Sequence, residues 1–312
     1  MNCLVTGASG FIGSMLIKRL VQKGHQVRAV LHTTPPQYHD SQVDYVTADL
    51  TIPSSVSGLV HDCDVVFHCA ALVKDFGSKK DIMNVNLNGT QNLVKACEKK
   101  VQRFIFLSHL HHISTKKIGS YSQSKAQAEH YLLQKYHDEH FPVVIIRPGN
   151  VYGPGATLWC LRILKAIQQD RIALIDHGTG LFLHTYIDNL LDGLLSGLVA
   201  SDIEGEVIDI TDGDNTTTWK TYLNDLAALG GKPPITRTIT KTTAILISRY
   251  MMMRYHLFHK DPLFTPTAVR IFTNKHSVSI EKATRLLGYF PSIDYTEGMK
   301  RMALWLKNEQ YI

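Results

Sequence analysis

The chain has 312 residues, 44% hydrophobic and 19% charged, with a net charge of +6. That length supports one large domain or two unequal ones, and the composition is that of an ordinary globular protein. No run approaches the roughly 18 apolar residues of a membrane-spanning helix, and no basic leader precedes the first apolar run, which argues against a signal peptide.

That first run, Cys3–Val5, ends at Gly7, and Gly10 and Gly13 follow at three-residue steps before an amphipathic segment. The pattern predicts a strand turning tightly into a helix: Gly7 makes the turn, Gly10 admits a ligand close to the backbone, and Gly13 lets helix pack on strand. The first N–H groups of such a helix favour an anion such as pyrophosphate. Further apolar runs at Val27–Leu31, Val43–Val46, Val65–Phe67, Phe104–Leu107 and Val143–Ile146 read as buried parallel strands. Helical patterns lie between them, notably Ile82–Lys100 and Ser120–His137. Repeated βα units of this kind predict an α/β fold with a doubly wound parallel sheet. The alternation lapses after Gly149–Gly155, and Pro233-Pro234 marks a break in a mixed region. Five scattered cysteines (Cys3, Cys63, Cys69, Cys97 and Cys160) form no C-x-x-C pair and read as small buried groups in a reducing cytoplasm.

Tyr121 and Lys125 stand four residues apart, on one face of the predicted helix after Phe104–Leu107. A cation about 4 Å from a phenol, at an effective dielectric of about 20, is worth roughly 4 kcal/mol, enough to bring a phenol near neutrality. Tyr131 and Lys135 share the spacing, but lie about 15 Å further along the helix, away from the carboxyl edge of the sheet where ligands bind. Tyr121 and Lys125 are therefore the candidate acid/base pair.

With these pieces in register, the chain resembles the extended short-chain dehydrogenase/reductases over nearly its whole length. Thr6–Gly13 matches their cofactor loop, Asp49-Leu50 the pair beside the adenine, and Phe67–Ala71 the segment under the adenine ribose. Asn86 matches their central-helix Asn, and Arg147–Pro154 the strand end that abuts the nicotinamide. Thr185–Asn189 and Lys282–Tyr289 are similar to the 3β-hydroxysteroid dehydrogenase and dihydroflavonol reductase branch. The resemblance implies a Rossmann domain over 1–150, to which about 180–200 returns, and a smaller mixed substrate domain within 151–312. It implies cofactor contacts from Gly7, Gly10, Phe11, Ile12, Gly13, His32, Asp49, Leu50, Ala70, Ala71, Asn86, Tyr121, Lys125, Pro148 and Val151.

One departure from that pattern concerns the end of the fifth strand. The family ends it in two hydroxyl residues, the second bonding the substrate oxygen; here the pair is Ser108-His109. Ser108, Ser114 or His109 itself is left as the donor, or the donor is missing. His109, His111 and His112 cluster without an acidic or Cys partner nearby, so they read as surface or lid histidines and no metal is expected. At the end of the second strand Leu31 replaces the acidic residue that selects NAD, while Arg28 and His32 are available to a 2′-phosphate. The balance tilts to NADP over NAD.

From Lys232 to Ile280 the chain carries eight Lys/Arg against Asp261 alone, yet no stacking or recognition motif for nucleic acid accompanies them. Residues 242–260 mix basic side chains with Ile245–Ile247, Met251–Met253 and Leu257-Phe258. They read as a helix over an apolar pocket, with a peripheral membrane contact as the alternative. The expected function is an NAD(P)-dependent oxidoreductase interconverting a secondary alcohol and a ketone on a small, fairly apolar molecule. A nucleotide-sugar epimerase or dehydratase with retained NAD is the second reading, and a non-catalytic NAD(P)-binding sensor the third. A homodimer is compatible with either enzyme.

Overall fold

The computed structural model describes residues 1–98, 100–110 and 119–312. In chain order its elements are β1 (Asn2–Thr6), α1 (Phe11–Gln22), β2 (Gln26–Leu31), β3 (Val43–Thr47), α2 (Pro53–Val56), β4 (Val65–His68), α3 (Lys79–Met83), a π-helical turn (Asn84–Asn88), α4 (Gly89–Cys97), β5 (Arg103–Leu107), α5 (Ser120–Glu139), β6 (Val143–Pro148) and β7 (Asn150–Tyr152). A second π-helical turn (Thr157–Leu161) follows, then α6 (Arg162–Gln168), β8 (Leu174–Ile175), β9 (His184–Tyr186), α7 (Ile187–Val199), β10 (Val207–Ile210), α8 (Trp219–Leu229), β11 (Thr238–Ile239), α9 (Lys241–Phe258), α10 (Pro266–Phe272), α11 (Glu281–Leu287) and α12 (Tyr295–Asn308).

The six apolar runs of the first half each become a strand of one parallel sheet, ordered β10-β6-β5-β4-β1-β2-β3. Their side chains alternate between two cores. Cys3, Val5, Ile105, Val144 and Ile146 join the core beneath α1 and α7, while Leu4, Val66, Phe104, Phe106, Val143 and Ile145 join the core beneath α2, α4 and α5. Burial on both faces is why β1, β4, β5 and β6 read as unbroken apolar runs rather than as alternation. The seventh strand, β10, gave no such signal. It is a four-residue edge strand containing Asp209, and only Ile208 and Ile210 are buried. Strand order reverses between β1 and β4, which opens a crevice at the carboxyl edge.

Two features depart from the regular pattern. The helix expected over Ile82–Lys100 is interrupted by the π-helical turn Asn84–Asn88 and ends at Cys97. Such wide turns cluster at functional sites, and this one carries Asn86 into the interior. The other is a polar network joining the sheet to the second half of the chain. Buried Asn189 donates to the Asp212 carboxylate and the Ile293 carbonyl, both at 2.7 Å, and accepts from the Ser292 and Ile293 N–H groups, both at 3.0 Å. Asp212 also meets His184 Nδ1 at 2.7 Å and accepts from the Tyr186 N–H at 2.9 Å.

Replacing Asn189 by Ala removes a hydrogen-bond partner from four groups, of which only the Ser292 N–H belongs to an exposed residue. Each orphaned group costs about 1–3 kcal/mol and some of it is recovered by relaxation, so Asn189→Ala should lower unfolding free energy by about 3 kcal/mol. The midpoint of urea unfolding measures it; an unchanged midpoint would show that the network holds nothing.

Candidate active site

The turn after β1 is shaped by two glycines for two different reasons. Gly7 has φ +73°, and a Cβ there would stand 2.8 Å from the Ala70 nitrogen at the end of β4. A Cβ on Gly13 would stand 2.2 Å from the Gly7 oxygen, so only glycine lets α1 sit down on the turn. Gly10 differs, because its Cβ would meet the Gly7 carbonyl oxygen alone, at 3.2 Å. The remaining space around it is open cleft. Gly10 caps α1 without a side-chain hydrogen bond, and the first turn holds no acidic residue. The leading N–H groups of the helix therefore lack an acceptor of their own and suit an anion of the pyrophosphate kind.

A hydrogen-bond chain ties this turn to the neighbouring strand and helix. The Ala70 N–H donates to Thr6 Oγ1 at 3.1 Å, which stands 2.7 Å from His68 Nδ1; His68 Nε2 lies 2.9 Å from Thr90 Oγ1, which donates to the Asn86 carbonyl at 2.7 Å. Thr90 has spent its proton, so Nε2 must carry one and donate it. Nδ1 is then the acceptor of the Thr6 hydroxyl, and the imidazole is neutral. Burial, helped by the charge of Lys125, lowers the His68 pKa to about 3 and agrees with that tautomer.

The crevice opens into a cleft of about 1230 Å³. Gly7, Gly10, Phe11, Ile12, Gly13, His32, Asp49, Leu50, Ala70, Ala71, Ser108, His109, Tyr121, Lys125, Pro148 and Val151 all line it. Asn86 does not: its amide sits behind the wall, accepting from Leu72 N–H at 2.7 Å and donating to Ser124 Oγ at 2.9 Å. It braces the wall rather than touching what lies in the cleft. Arg28 is also displaced from the role the sequence suggested, since its guanidinium donates to Asp44 at 2.6 Å and to the His61 carbonyl at 2.9 Å. His32 remains, 3.6 Å from Asp49. Tyr131 and Lys135 lie outside the cleft, with Lys135 paired to Glu139 at 2.6 Å.

Tyr121 and Lys125 occupy the first turns of α5, where the cleft meets the end of β5. Lys125 is buried, donates to the Leu107 carbonyl at 2.6 Å and lies 4.2 Å above the Phe106 ring. Burial brings its ammonium down to about 8, against the opposing charges of Cys69 and Glu129. The phenol moves the other way from the simple expectation. Desolvation, then the charge of Asp75, raises the Tyr121 pKa; the Lys125 ammonium beside it donates to the Leu107 carbonyl. Beside it, the His109 imidazole stacks on the Tyr121 ring at 5.0 Å and 20°. Ser108 Oγ is buried on the same wall without a hydrogen-bond partner among the described residues. Ser114, His111 and His112 lie outside the described residues.

Sequence reasoning passed over Asp75, Arg162 and Trp159, which belong to the wall of the cleft. Asp75 Oδ1 is buried with no partner among the described residues. A Cβ on Gly119 would lie 2.8 Å from that oxygen, which puts it against the approach to Tyr121. Burial pushes the Asp75 carboxyl up to about 6, with the Arg162 guanidinium pulling back. The rest of that wall is largely apolar, with Ile247, Met251, Phe264 and Phe272 among its members. The one warning in the sequence was an Asp within a loop leaving a central strand.

The raised carboxyl has a consequence for stability. Folding favours its protonated form, so the ionised group weakens the fold as pH climbs from about 4 to 6, and the penalty is full above that. Asp75→Asn should therefore melt at higher temperature than the parent at pH 8, with the gap closing toward pH 4. A gap of the same size at both pH values would remove Asp75 from this role.

The sequence profile of the NAD dependent epimerase/dehydratase family matches residues 3–210. The 2-alkyl-3-oxoalkanoate reductase of Stenotrophomonas maltophilia is 28% identical, across 97% of this chain and 98% of that protein. A 3-beta-hydroxysteroid dehydrogenase of Mycolicibacterium neoaurum is 25% identical, across 95% and 89%. Among solved structures, the UDP-glucuronic acid 4-epimerase of Bacillus cereus in complex with UDP-glucuronic acid and NAD superposes with a TM-score of 0.78, at 25% identity across 99% of this chain and 100% of that one. The chain belongs to the NAD-dependent epimerase/dehydratase family, enzymes of the extended short-chain dehydrogenase/reductase type.

Proposed function

We propose that the enzyme interconverts a secondary alcohol and a ketone on a largely apolar substrate, with Tyr121 as its acid or base. The observation that carries this reading is the meeting of two walls in one cleft. Tyr121 and Lys125 stand where the sheet edge opens, and the facing wall is built of Trp159, Ile247, Met251, Phe264 and Phe272. A 2-alkyl-3-oxoalkanoate and a 3β-hydroxysteroid, the substrates named by two of the relatives, each carry a ketone or secondary alcohol on a largely hydrocarbon body, the former with a carboxylate as well.

A bound nicotinamide dinucleotide supplies or accepts the hydride. Gly10, Phe11, Ile12 and Gly13 would hold its pyrophosphate, Asp49, Leu50, Ala70 and Ala71 its adenosine half, and Pro148 and Val151 the nicotinamide end. Tyr121, kept protonated by its surroundings, donates to a ketone oxygen; Lys125 holds the ribose and steadies the phenolate that results. Ser108 is the proposed second donor, because its hydroxyl has an unspent proton on the same wall. His109 then packs on the Tyr121 ring and fixes its plane. Asn86 acts at one remove, through Leu72 and Ser124.

A nucleotide-sugar epimerase or dehydratase is the second reading, favoured by Arg162, Arg171, Arg237 and Arg270 along the cleft. Cofactor that stays bound through purification would select it. The five cysteines are all free of disulfides, which supports the reducing cytoplasm as the proposed location. Discrimination between NAD and NADP should be weak, tilting to NADP, since Leu31 brings no carboxylate and His32 is the basic group left beside it after Arg28 is spent.

Tyr121→Phe should lower turnover about 10²–10⁴-fold with the fold intact, while Tyr131→Phe is nearly silent. Equal losses, measured on a panel of ketones and secondary alcohols, would put the chemistry on the wrong turn of α5. Leu31→Asp should move the ratio of affinities toward NAD by at least about tenfold, or roughly 1.4 kcal/mol, because a carboxylate accepts from a 2′-OH and repels a 2′-phosphate. Titration calorimetry with both cofactors reads the change; a ratio that does not move would mean the second strand ends elsewhere than beside the ribose.

A further inference from the structure

Helix α9 has two apolar faces, and the fold uses one. Inward, Ala244 and Ser248 are buried, Ile247 and Met251 line the cleft, and Tyr255 packs edge-on against Phe76 at 5.3 Å. Outward, Leu246, Tyr250, Met253 and Leu257 are between 51% and 63% exposed. At about 100° per residue these four fall within a strip roughly 60° wide. Phe258, the last residue of the helix, is 65% exposed but lies about 110° from the centre of that strip. A single exposed apolar side chain means little, whereas a contiguous row of four marks an interaction surface.

The row is bordered by positive charge. Arg249 and Arg254 project about 70° to either side of it, and Lys260 follows two residues after the helix ends. No acidic residue occurs anywhere from Lys241 to Phe258. We propose that α9 docks the enzyme on an anionic lipid bilayer, its outer apolar row seated at the headgroup boundary and its arginines on the lipid phosphates. The 4-3-4 spacing of the row would also serve a coiled-coil seam between two copies. Self-pairing, however, brings the basic borders of one helix against those of another with no carboxylate on either. An anionic surface has the complementary charge. Among the described residues no helix is long and apolar enough to cross a membrane, so the contact is one of lying on the surface. Because α9 is also a wall of the cleft, docking places that wall at the lipid.

The test is cosedimentation of the whole protein with vesicles of phosphatidylcholine alone or mixed with phosphatidylserine, at low and high salt. Binding should require phosphatidylserine and weaken with salt. The double substitution Leu246→Ser/Leu257→Ser and the separate pair Arg249→Gln/Arg254→Gln should each cut vesicle binding by about tenfold or more. Leu246, Arg249 and Leu257 are exposed and Arg254 is half-buried, so melting temperature should hold in the leucine variant, move little in the arginine variant, and report any that misfold. No binding to either vesicle, or equal binding by parent and both variants, overturns the proposal. A dimer in sedimentation equilibrium that the leucine substitutions dissociate, with no vesicle binding, would make the row a self-association surface instead. The readout is lipid binding, so the outcome does not depend on which substrate the cleft takes.

Discussion

The hydrogen-bond chain from Ala70 through Thr6, His68 and Thr90 to the Asn86 carbonyl is the constraint on which the site depends. It closes the gap between β1 and β4, the two strands where the sheet reverses its order, and reaches across to the π-helical turn. Each link has one donor and one acceptor, and the direction of the whole is set by the final carbonyl, which can only accept. A protonated imidazole would place a second donor on Thr6 and reverse a link, so deep burial of His68 and the order of the strands enforce one another. From its far end, Asn86 passes the alignment on to Leu72 and to the first turns of α5.

The electrostatics of the cleft follow from where its charges are spent. Lys125 is desolvated and donates a hydrogen bond to a main-chain carbonyl, with an aromatic face beneath it. Beside the start of α5, Asp75 is desolvated with no such settlement for one of its oxygens. Two groups of opposite sign, both out of water, flank one phenol. The acid is favoured over the phenolate on that balance, as donation to a ketone oxygen requires. Arg162 moderates Asp75 while its own guanidinium donates to the Pro262 and Leu263 carbonyls, both at 3.1 Å, so the loop after α9 is tied into the same wall.

Much of this could be read from the sequence, for reasons that are specific. Strands buried on both faces print as apolar runs, and Gly7 and Gly13 print as glycine because any Cβ would overlap main chain. Tyr121 and Lys125 were placed by helical period and by the strand before them. The failures are equally specific. β10 is short, half-exposed and carries Asp209, so it lacks the unbroken apolar signature of β1, β4, β5 and β6. Spacing predicts that Lys125 and Tyr121 share a face, but not that the ammonium is already committed to Leu107. Arg28 has the right charge but stands three residues short of the end of β2, and three dimensions reveal Asp44 beside it. Asp75 has no periodicity to betray it, and its importance lies wholly in what surrounds it.

The cradle at the head of α1 is made of main chain, and this governs how its lineage can drift. A site built from arginines or serines is lost when one codon changes. A site built from peptide N–H groups survives almost any replacement of the side chains attached to them. Mutation can reach it only by adding bulk, which confines selection to Gly7, Gly10 and Gly13 and frees the surrounding letters to wander. Sequences can then part until three residues in four differ, as this chain and its steroid-dehydrogenase relative have done, without that drift by itself touching a turn made of main chain.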